Sequence, residues 1–162
     1  MSKLETKLHE FKCKKEHEVF ISRLDSGLQR LFSSVEITFN QAAIKNLAMS
    51  KWIDGKCISS RADAEKWERY EFEDFELAIE SIIKLSLRSE IVGWLSFDFK
   101  GTHYQLSSEE LQTNLIEIAK LLRCENGGYR DLSWVGETED FGIIFEYNER
   151  QSPQFEICVW GI

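Results

Sequence analysis

Hydrophobic residues near the start of the chain fall on two helical stripes that point in different directions. The first stripe consists of Leu4, Leu8 and Phe11. The second stripe has similar spacing and consists of Phe20, Leu24, Leu28 and Leu31. Because a single amphipathic helix keeps its apolar residues on one face, the pattern predicts a break within 12–16 and a main first helix over 17–32. Residues 1–15 are then expected to form a mobile arm or a short separate helix.

The segments that follow are shorter. Residues 35–39 alternate between apolar and polar side chains, which predicts a short strand. Asn40 is suited to cap a helix over 41–50, because its side chain accepts hydrogen bonds from the free N–H groups of a first helical turn. The Asp-Gly pair at 54–55 predicts a turn, since both residues tolerate positive φ. A clear apolar helical stripe begins after Asp74.

The second half of the chain is dominated by strand patterns. Residues 91–99 and 103–106 predict a hairpin that turns at Gly101. Ser107 and Glu110 have the spacing of a capping box, which predicts the start of a helix of about 108–123. Three more strands are predicted at 132–135, 141–147 and 155–160.

This order of elements predicts an α+β fold in a single domain that covers residues 1–162. N-terminal helices are expected to pack on a mainly antiparallel sheet formed by the C-terminal half, with one inserted helix at about 108–123. The strands follow one another instead of alternating with helices, and parallel sheets require that alternation.

The net charge narrows the kinds of partner. The chain has 20 basic and 28 acidic residues, a formal net charge of −8. The phosphate backbone that supplies most nucleic-acid affinity repels an acidic protein, so we expect no nucleic-acid binding. Residues 1–61 carry a net charge of +4 and residues 62–162 a net charge of −12. The acidic part is expected to attract a basic protein partner. No apolar run approaches the roughly 20 residues of a membrane span, so we expect no membrane insertion.

Motifs for cofactors and metals are missing from the sequence. The four cysteines, none of them in a C-x-x-C pair, are Cys13, Cys57, Cys124 and Cys158. The first residues lack the apolar core of a signal peptide, which favours a cytoplasmic protein with free thiols. No glycine-rich phosphate loop is present, and we expect no cofactor. His9, Cys13 and His17 have the spacing of metal ligands on one helix face. Neighbouring lysines would oppose a dication, so we expect no metal there.

A small enzyme of unknown reaction is one alternative. His103 is the histidine outside the N-terminal segment, Asp98 lies across the predicted turn and could orient it, and Cys57 could act as a nucleophile. Nothing in the local sequence marks Cys57 as activated. A histidine next to Tyr104 in a hairpin is typical of a partly exposed strand residue. The sequence therefore favours a binding protein over an enzyme.

The strongest candidate site lies on the last two predicted strands. If Tyr147 faces Phe155, then Glu146 lies directly opposite Glu156. Like charges opposed across a sheet are destabilising. A neighbouring arginine or lysine would relieve the repulsion, and so would a shifted register. The functional interpretation is that the pair is prepared for a cation from a partner.

More acidic residues and tryptophans lie close to this pair in the sequence. The predicted partner-binding residues are Trp134, Glu137, Glu139, Asp140, Glu146, Glu156 and Trp160. Tryptophan beside unpaired carboxylates is the composition expected of a hot spot for arginine or lysine. The acidic and aromatic stretch 63–80 is a second possible contact surface.

The sequence therefore favours an acidic protein-binding module. Its specific form would be an inhibitor of the bacterial immunity-protein type that neutralises a basic protein, such as a nuclease toxin. Besides the enzyme, the alternative is an oligomeric structural or regulatory subunit that associates through tryptophan-rich faces. The pattern does not determine the oligomeric state or the strand order.

Overall fold

The structure, a computed structural model, describes residues 3–39, 52–53, 56–57, 67–98, 100–136 and 141–162. In these ranges the chain forms four helices and nine strands. The helices are α1 (Lys3–Ser22), α2 (Ser26–Ser34), α3 (Phe75–Ile83) and α4 (Ser108–Lys120). The strands are β1 (Ile37–Thr38), β2 (Trp52–Ile53), β3 (Lys56–Cys57), β4 (Trp67–Phe72), β5 (Val92–Phe97), β6 (Lys100–Ser107), β7 (Leu132–Gly136), β8 (Gly142–Tyr147) and β9 (Phe155–Trp160).

Seven strands form one sheet in the order β1-β6-β5-β7-β8-β9-β4, and every neighbouring pair in it is antiparallel. Strands β2 and β3 pair separately. Helix α4 is inserted between β6 and β7, and its N-terminus carries the predicted capping box of Ser107 and Glu110. The predicted α+β fold, with N-terminal helices and an antiparallel sheet from the C-terminal half, is therefore confirmed.

The main core lies between one face of the sheet and the helices. Phe32 of α2 packs against Phe97 and Tyr104 at the β5–β6 end of the sheet. Phe75 of α3 packs against Phe145 and Phe155 on β8 and β9. Both helices begin at an aspartate cap, Asp25 and Asp74, each accepting hydrogen bonds from backbone N–H groups of the first turn.

The opposite face of the central strands is buried as well. Ser96, His103, Ser133, Ile144 and Cys158 are each 0% exposed. In the observed register Ile144 pairs with Cys158, on the side of the sheet that Phe145 and Ile157 do not occupy. Two buried faces explain why β7 and β8 lack clear polar alternation in the sequence.

The predicted break within 12–16 is wrong. Helix α1 runs without interruption through this stretch, and the chain turns only at 23–25, before α2. Of the second stripe, Phe20 lies in α1, Leu24 in the turn, and Leu28 and Leu31 in α2. These residues pack on the protein body, whereas the side chains of the first stripe, Leu4, Leu8 and Phe11, are 69–76% exposed. A helix with two apolar faces needs no break if one face stays in solvent.

The predicted strand at 35–39 and the strands at 155–160 and 132–135 are found within a residue or two of their expected bounds. Edge strand β4 was not predicted, because its sequence WERYEF is dominated by charges. The predicted helix over 41–50 and the turn at 54–55 lie outside the described residues. In the described ranges, no helix is both long enough and apolar enough to cross a membrane.

Candidate functional site

The two glutamates lie opposite each other on β8 and β9, in the register predicted from the sequence. Glu146 pairs with Glu156, between the pairs Phe145–Ile157 and Tyr147–Phe155. The apolar residues of these strands face the helices, and the alternation of side chains sends the glutamates to the other face. A shift by one residue would move every apolar side chain out of the core. Core packing therefore forces the like charges together.

Edge strand β4 supplies a neighbouring arginine, which was one of the predicted ways to relieve the repulsion between the two glutamates. Arg69 forms ion pairs with both Glu156 and Glu71. The side chain of Glu156 is 16% exposed and that of Glu71 is 48% exposed, so the first pair is much the better shielded from solvent. Arg69 thus relieves the repulsion from the side of Glu156. Among the ion pairs of the described residues, none includes Glu146.

Glu146 is the more perturbed of the two carboxyl groups. Its pKa is raised to about 7, first by burial and then by the negative charges of Asp131 and Glu156, while Arg69 partly offsets the shift. Burial also raises the pKa of Asp131, which accepts a hydrogen bond of 3.0 Å from the Tyr147 N–H. At neutral pH Glu146 is therefore divided between its protonated and ionised forms.

A cavity of about 130 Å³ opens beside this pair. Its walls come from three strand residues and from the β8–β9 hairpin, and consist of Arg69, Glu146, Asn148, Gln151, Pro153, Gln154 and Glu156. The Oε1 atom of Glu156 is buried and has no hydrogen-bond partner among the residues that the structure describes. Liquid water takes up roughly 30 Å³ per molecule, so the cavity has room for the head group of a lysine or an arginine side chain.

The two tryptophans of the predicted site are core residues, and this part of the prediction is wrong. Trp134 is 0% exposed and donates a hydrogen bond of 3.1 Å from Nε1 to the carbonyl of Leu106. It pairs with Ile143 and so lies on the opposite face of the sheet from Glu146. Trp160 is 1% exposed and lies four positions along β9 from Glu156, about 13 Å at roughly 3.3 Å per strand residue. Neither side chain contributes to an exposed surface.

The remaining predicted residues Glu137, Glu139 and Asp140 lie outside the described residues. Sequence reasoning missed Arg69, Asn148 and the glutamines of the hairpin. The polar hairpin 148–154 next to Glu146 was a local signal for these wall residues. No local signal identifies Arg69, which is 87 positions away from Glu156 in the chain.

The residues of the enzyme alternative have other partners. His103 is 0% exposed rather than partly exposed, and its Nδ1 hydrogen-bonds to Ser96 Oγ. Burial lowers the pKa of His103 to about 4, so the imidazole is neutral at physiological pH. Asp98 accepts a hydrogen bond of 3.1 Å from the Asp131 N–H. The backbone of Cys57 lies in the separate β2–β3 pair. His103 is thus a buried, neutral histidine that is paired through Nδ1, while its Nε2 has no hydrogen-bond partner among the described residues.

The histidines and the cysteine of α1 also lie within hydrogen-bond distance of neighbouring side chains. Cys13 is buried, with its Sγ 3.5 Å from His9 Nε2. His17 Nδ1 lies 3.0 Å from the hydroxyl of Tyr104. In the described part of the chain, no group of three His, Cys, Asp or Glu residues is arranged to hold a metal ion. Cys13, Cys124 and Cys158 are not joined in disulfide bonds.

In comparisons with protein-family models, with curated proteins and with solved structures, nothing matches this chain. The geometry around Glu146 and Glu156 is thus the basis for assigning a function.

Proposed function

We propose that this chain is an acidic protein-binding module that receives a cationic side chain of a basic protein partner in the cavity beside Glu146. The observation that carries the proposal is the direct opposition of Glu146 and Glu156 at the wall of a 130 Å³ cavity. The carboxyl groups of Asp131 and Glu156 both act on that of Glu146, and among the described residues Arg69 is the cation that offsets them. The local charge is negative whenever Glu146 is ionised.

A cation in the cavity would satisfy two groups at once. It would stabilise the ionised form of Glu146, whose pKa is raised by burial and by its acidic neighbours. It would also offer a donor to Glu156 Oε1, which no described residue of the chain hydrogen-bonds. Hydrogen bonds between charged groups are shorter and stronger than those between neutral groups. A lysine or arginine head group is therefore the ligand that this chemistry favours.

The charge of the whole chain supports the same kind of partner. Residues 62–162 carry a net charge of −12, so a basic protein would be steered toward the part of the chain that holds the cavity. Covering a cationic surface in this way is how an acidic inhibitor neutralises a basic partner such as a nuclease toxin. We propose an immunity-type role of this kind for the chain.

The proposal is tested by affinity capture with the tagged full chain from an extract of its own source, comparing three forms side by side. Wild type and Glu149→Lys are expected to capture the same basic protein in stoichiometric amount, and Glu146→Lys to lose it. Glu149 is exposed, lies in the same hairpin and does not line the cavity. The control variant therefore makes the same change in net charge outside the site.

The captured protein is then purified and its affinity measured by calorimetry as a function of pH and salt. Because the cation competes with a proton on Glu146, the affinity should rise between about pH 6 and pH 8, around the Glu146 pKa of about 7. High salt should slow association strongly. Capture that Glu146→Lys leaves unchanged, or that fails equally with Glu149→Lys, would remove the cavity from the interface.

A further inference from the structure

Helix α1 has two apolar faces, and its inner face accounts for its attachment to the protein. On this face Cys13 is buried, and His17 lies within hydrogen-bond distance of the Tyr104 hydroxyl on β6. Phe20 packs against Phe32 of α2 and against Tyr104. These contacts fasten the C-terminal half of the helix to the body.

The outer face of α1 is apolar and exposed. Leu4 is 76% exposed, Leu8 69% and Phe11 69%, and Val19 farther along is 44% exposed. Leu4, Leu8, Phe11 and Lys15 follow alternating steps of four and three residues, and Val19 lies four residues beyond Lys15, so these side chains share one side of the helix. At about 1.5 Å per residue the 20 residues of α1 extend roughly 30 Å. The seam formed by Leu4, Leu8, Phe11 and Val19 follows almost the whole helix.

A seam with this spacing is the kind that pairs with another helix. Alternating steps of three and four residues are the a and d positions of a heptad, where apolar side chains insert between those of a facing helix. Isolated exposed hydrophobic residues need no explanation, but a row of large ones on one face indicates an interaction surface. Helix α1 therefore packs on the protein body with its inner face and presents its outer face as an interaction surface.

The charges beside the seam define the partner. The positions that flank an a/d seam are occupied by Glu5, Lys7, Lys12 and Lys14, and Lys15 lies in the seam itself. Four of these five charges are positive. Flanking charges determine which helix is accepted, because opposite signs attract across the interface and like signs repel.

A second copy of the chain fits this surface poorly. Two α1 helices in parallel would place Lys7 of one copy beside Lys12 of the other, which repels. An antiparallel pair would bring Lys7 near Lys14, which repels, and Glu5 near Lys12, which attracts, so the two contacts offset each other. Neither arrangement gains from the flanking charges, whereas a partner with acidic flanks would. An anionic lipid surface would attract the lysines, but it would also repel the strongly acidic body, where residues 62–162 carry a charge of −12.

We propose that the outer face of α1 binds an amphipathic helix of a protein partner, one whose apolar seam is flanked by glutamate or aspartate. This surface is separate from the Glu146 cavity and has the opposite charge. The chain would thus hold an acidic helix on α1 and a basic side chain on its sheet. The proposal does not depend on the function assigned to the cavity.

The proposal is tested with two synthetic helical peptides of three heptads, each with leucine at the a and d positions. One probe carries glutamate at all flanking positions and the other carries lysine, so that each repels its own copies and stays monomeric. Binding of each labelled peptide to the full-length protein is measured by fluorescence anisotropy at low and at high salt. The acidic probe is expected to bind at least about tenfold more tightly than the basic one, and high salt should reduce the difference.

Two variants locate the binding surface. Leu8→Asp/Phe11→Asp should weaken binding of the acidic probe more than about tenfold, with an unchanged circular dichroism spectrum because both side chains lie in solvent. Ile116→Asp, at a position of α4 that is 62% exposed, should bind the probe like wild type. The same proteins are tested for flotation with anionic vesicles and for self-association by analytical ultracentrifugation.

Four results would overturn the proposal. Equal binding of the two peptides would show that the flanking lysines do not select the partner, and binding of neither would show that the seam does not accept a helix. Vesicle binding that Leu8→Asp/Phe11→Asp abolishes would assign the surface to a membrane. A dimer that the same variant dissociates would assign it to a second copy of the chain.

Discussion

Glu146 is an acidic residue that the fold places where its charge is costly. The apolar side chains on either side of it enter the core, so the alternation of strand β8 fixes its position opposite Glu156. The pKa of Glu146 is raised because the folded state favours the protonated form of its carboxyl group. A ligand that brings a positive charge would stabilise the ionised form and so remove this cost.

The Glu146→Gln variant is expected to be more stable than wild type at pH 8. The pKa of Glu146 rises on folding from its ordinary value of 4.5 to about 7, so the folded state is penalised as pH increases through that window. Glutamine carries no charge at any pH and removes the penalty. The gain should be on the order of 1 kcal/mol, allowing for solvent screening of a partly exposed group.

This prediction is checked by urea denaturation of wild type and variant between pH 4 and pH 8. The two stabilities should converge near pH 4, where the carboxyl group is mostly protonated in both the folded and the unfolded state, and separate progressively as the pH rises from 4.5 to about 7. Glu149→Gln, in the same hairpin but exposed, serves as the control and should show no such divergence. A constant difference across the whole range would mean that the effect is one of packing and not of charge.

Residue positions could be predicted from the sequence only where local pattern determines them. The alternation of Ile143, Phe145 and Tyr147 fixed the pairing of Glu146 with Glu156, and that prediction is confirmed. Trp134 was placed on the surface because its acidic neighbours in sequence suggested it, but the face of a strand is decided by its partners in the sheet. Arg69 could not be found at all, since its contact with Glu156 depends on the pairing of β4 with β9.

At the scale of elements, close packing inside the sheet depends on glycines as well as on large side chains. Gly142 at the start of β8 pairs with Trp160 at the end of β9. A methyl group built on Gly142 would overlap the indole ring of Trp160, which is itself buried. Because Gly142 has no side chain, the indole ring of Trp160 on the neighbouring strand can occupy the space above it.

Gly142→Ala should therefore destabilise the protein by about 1–3 kcal/mol, the usual cost of overpacking a core. Gly128→Ala is the matched control, because a methyl group there would meet its nearest neighbours at ordinary distances of 3.4 and 3.7 Å. Thermal denaturation of the two variants provides the comparison. Similar melting temperatures for both would indicate that the Trp160 ring can move aside.

The elements themselves show what pattern can and cannot predict. The capping box of Ser107 and Glu110 was predicted correctly, and the helix predicted to follow Asp74 does begin there, because an N-cap is a local arrangement of one side chain and the next few N–H groups. Helix α1 was divided in two for a physical reason that does not apply, namely that a single amphipathic helix keeps its apolar residues on one face. The sequence held both stripes, but only the structure distinguishes the buried stripe from the exposed one.

For the molecule as a whole, charge and exposed apolar surface are distributed unevenly. The basic helix α1 with its exposed seam lies at the start of the chain, and the acidic sheet with the Glu146 cavity lies in the second half. Composition predicted the acidic character, and the order of helix and strand patterns predicted the fold class. It could not predict two separate surfaces, because their residues are brought together by tertiary structure.

If the outer seam of α1 serves a partner and not the fold, the first part of the helix can be removed at little cost. Deletion of residues 1–11 takes away Leu4, Leu8 and Phe11, which are largely exposed, and is expected to change the free energy of unfolding by less than about 1 kcal/mol. Deletion of residues 1–18 also removes buried Cys13 and the contact of His17 with Tyr104. That loss should cost about 2 kcal/mol or more.

Urea denaturation followed by tryptophan fluorescence measures both deletions against the full chain. A step in stability between the two truncations would place the boundary between the attached and the projecting parts of α1 within residues 12–18, where the inner face begins to contact β6. A large loss already in the first deletion would mean that Leu4, Leu8 and Phe11 stabilise the protein itself. The outer seam would then belong to the fold, and it would no longer be a surface kept free for an acidic helix.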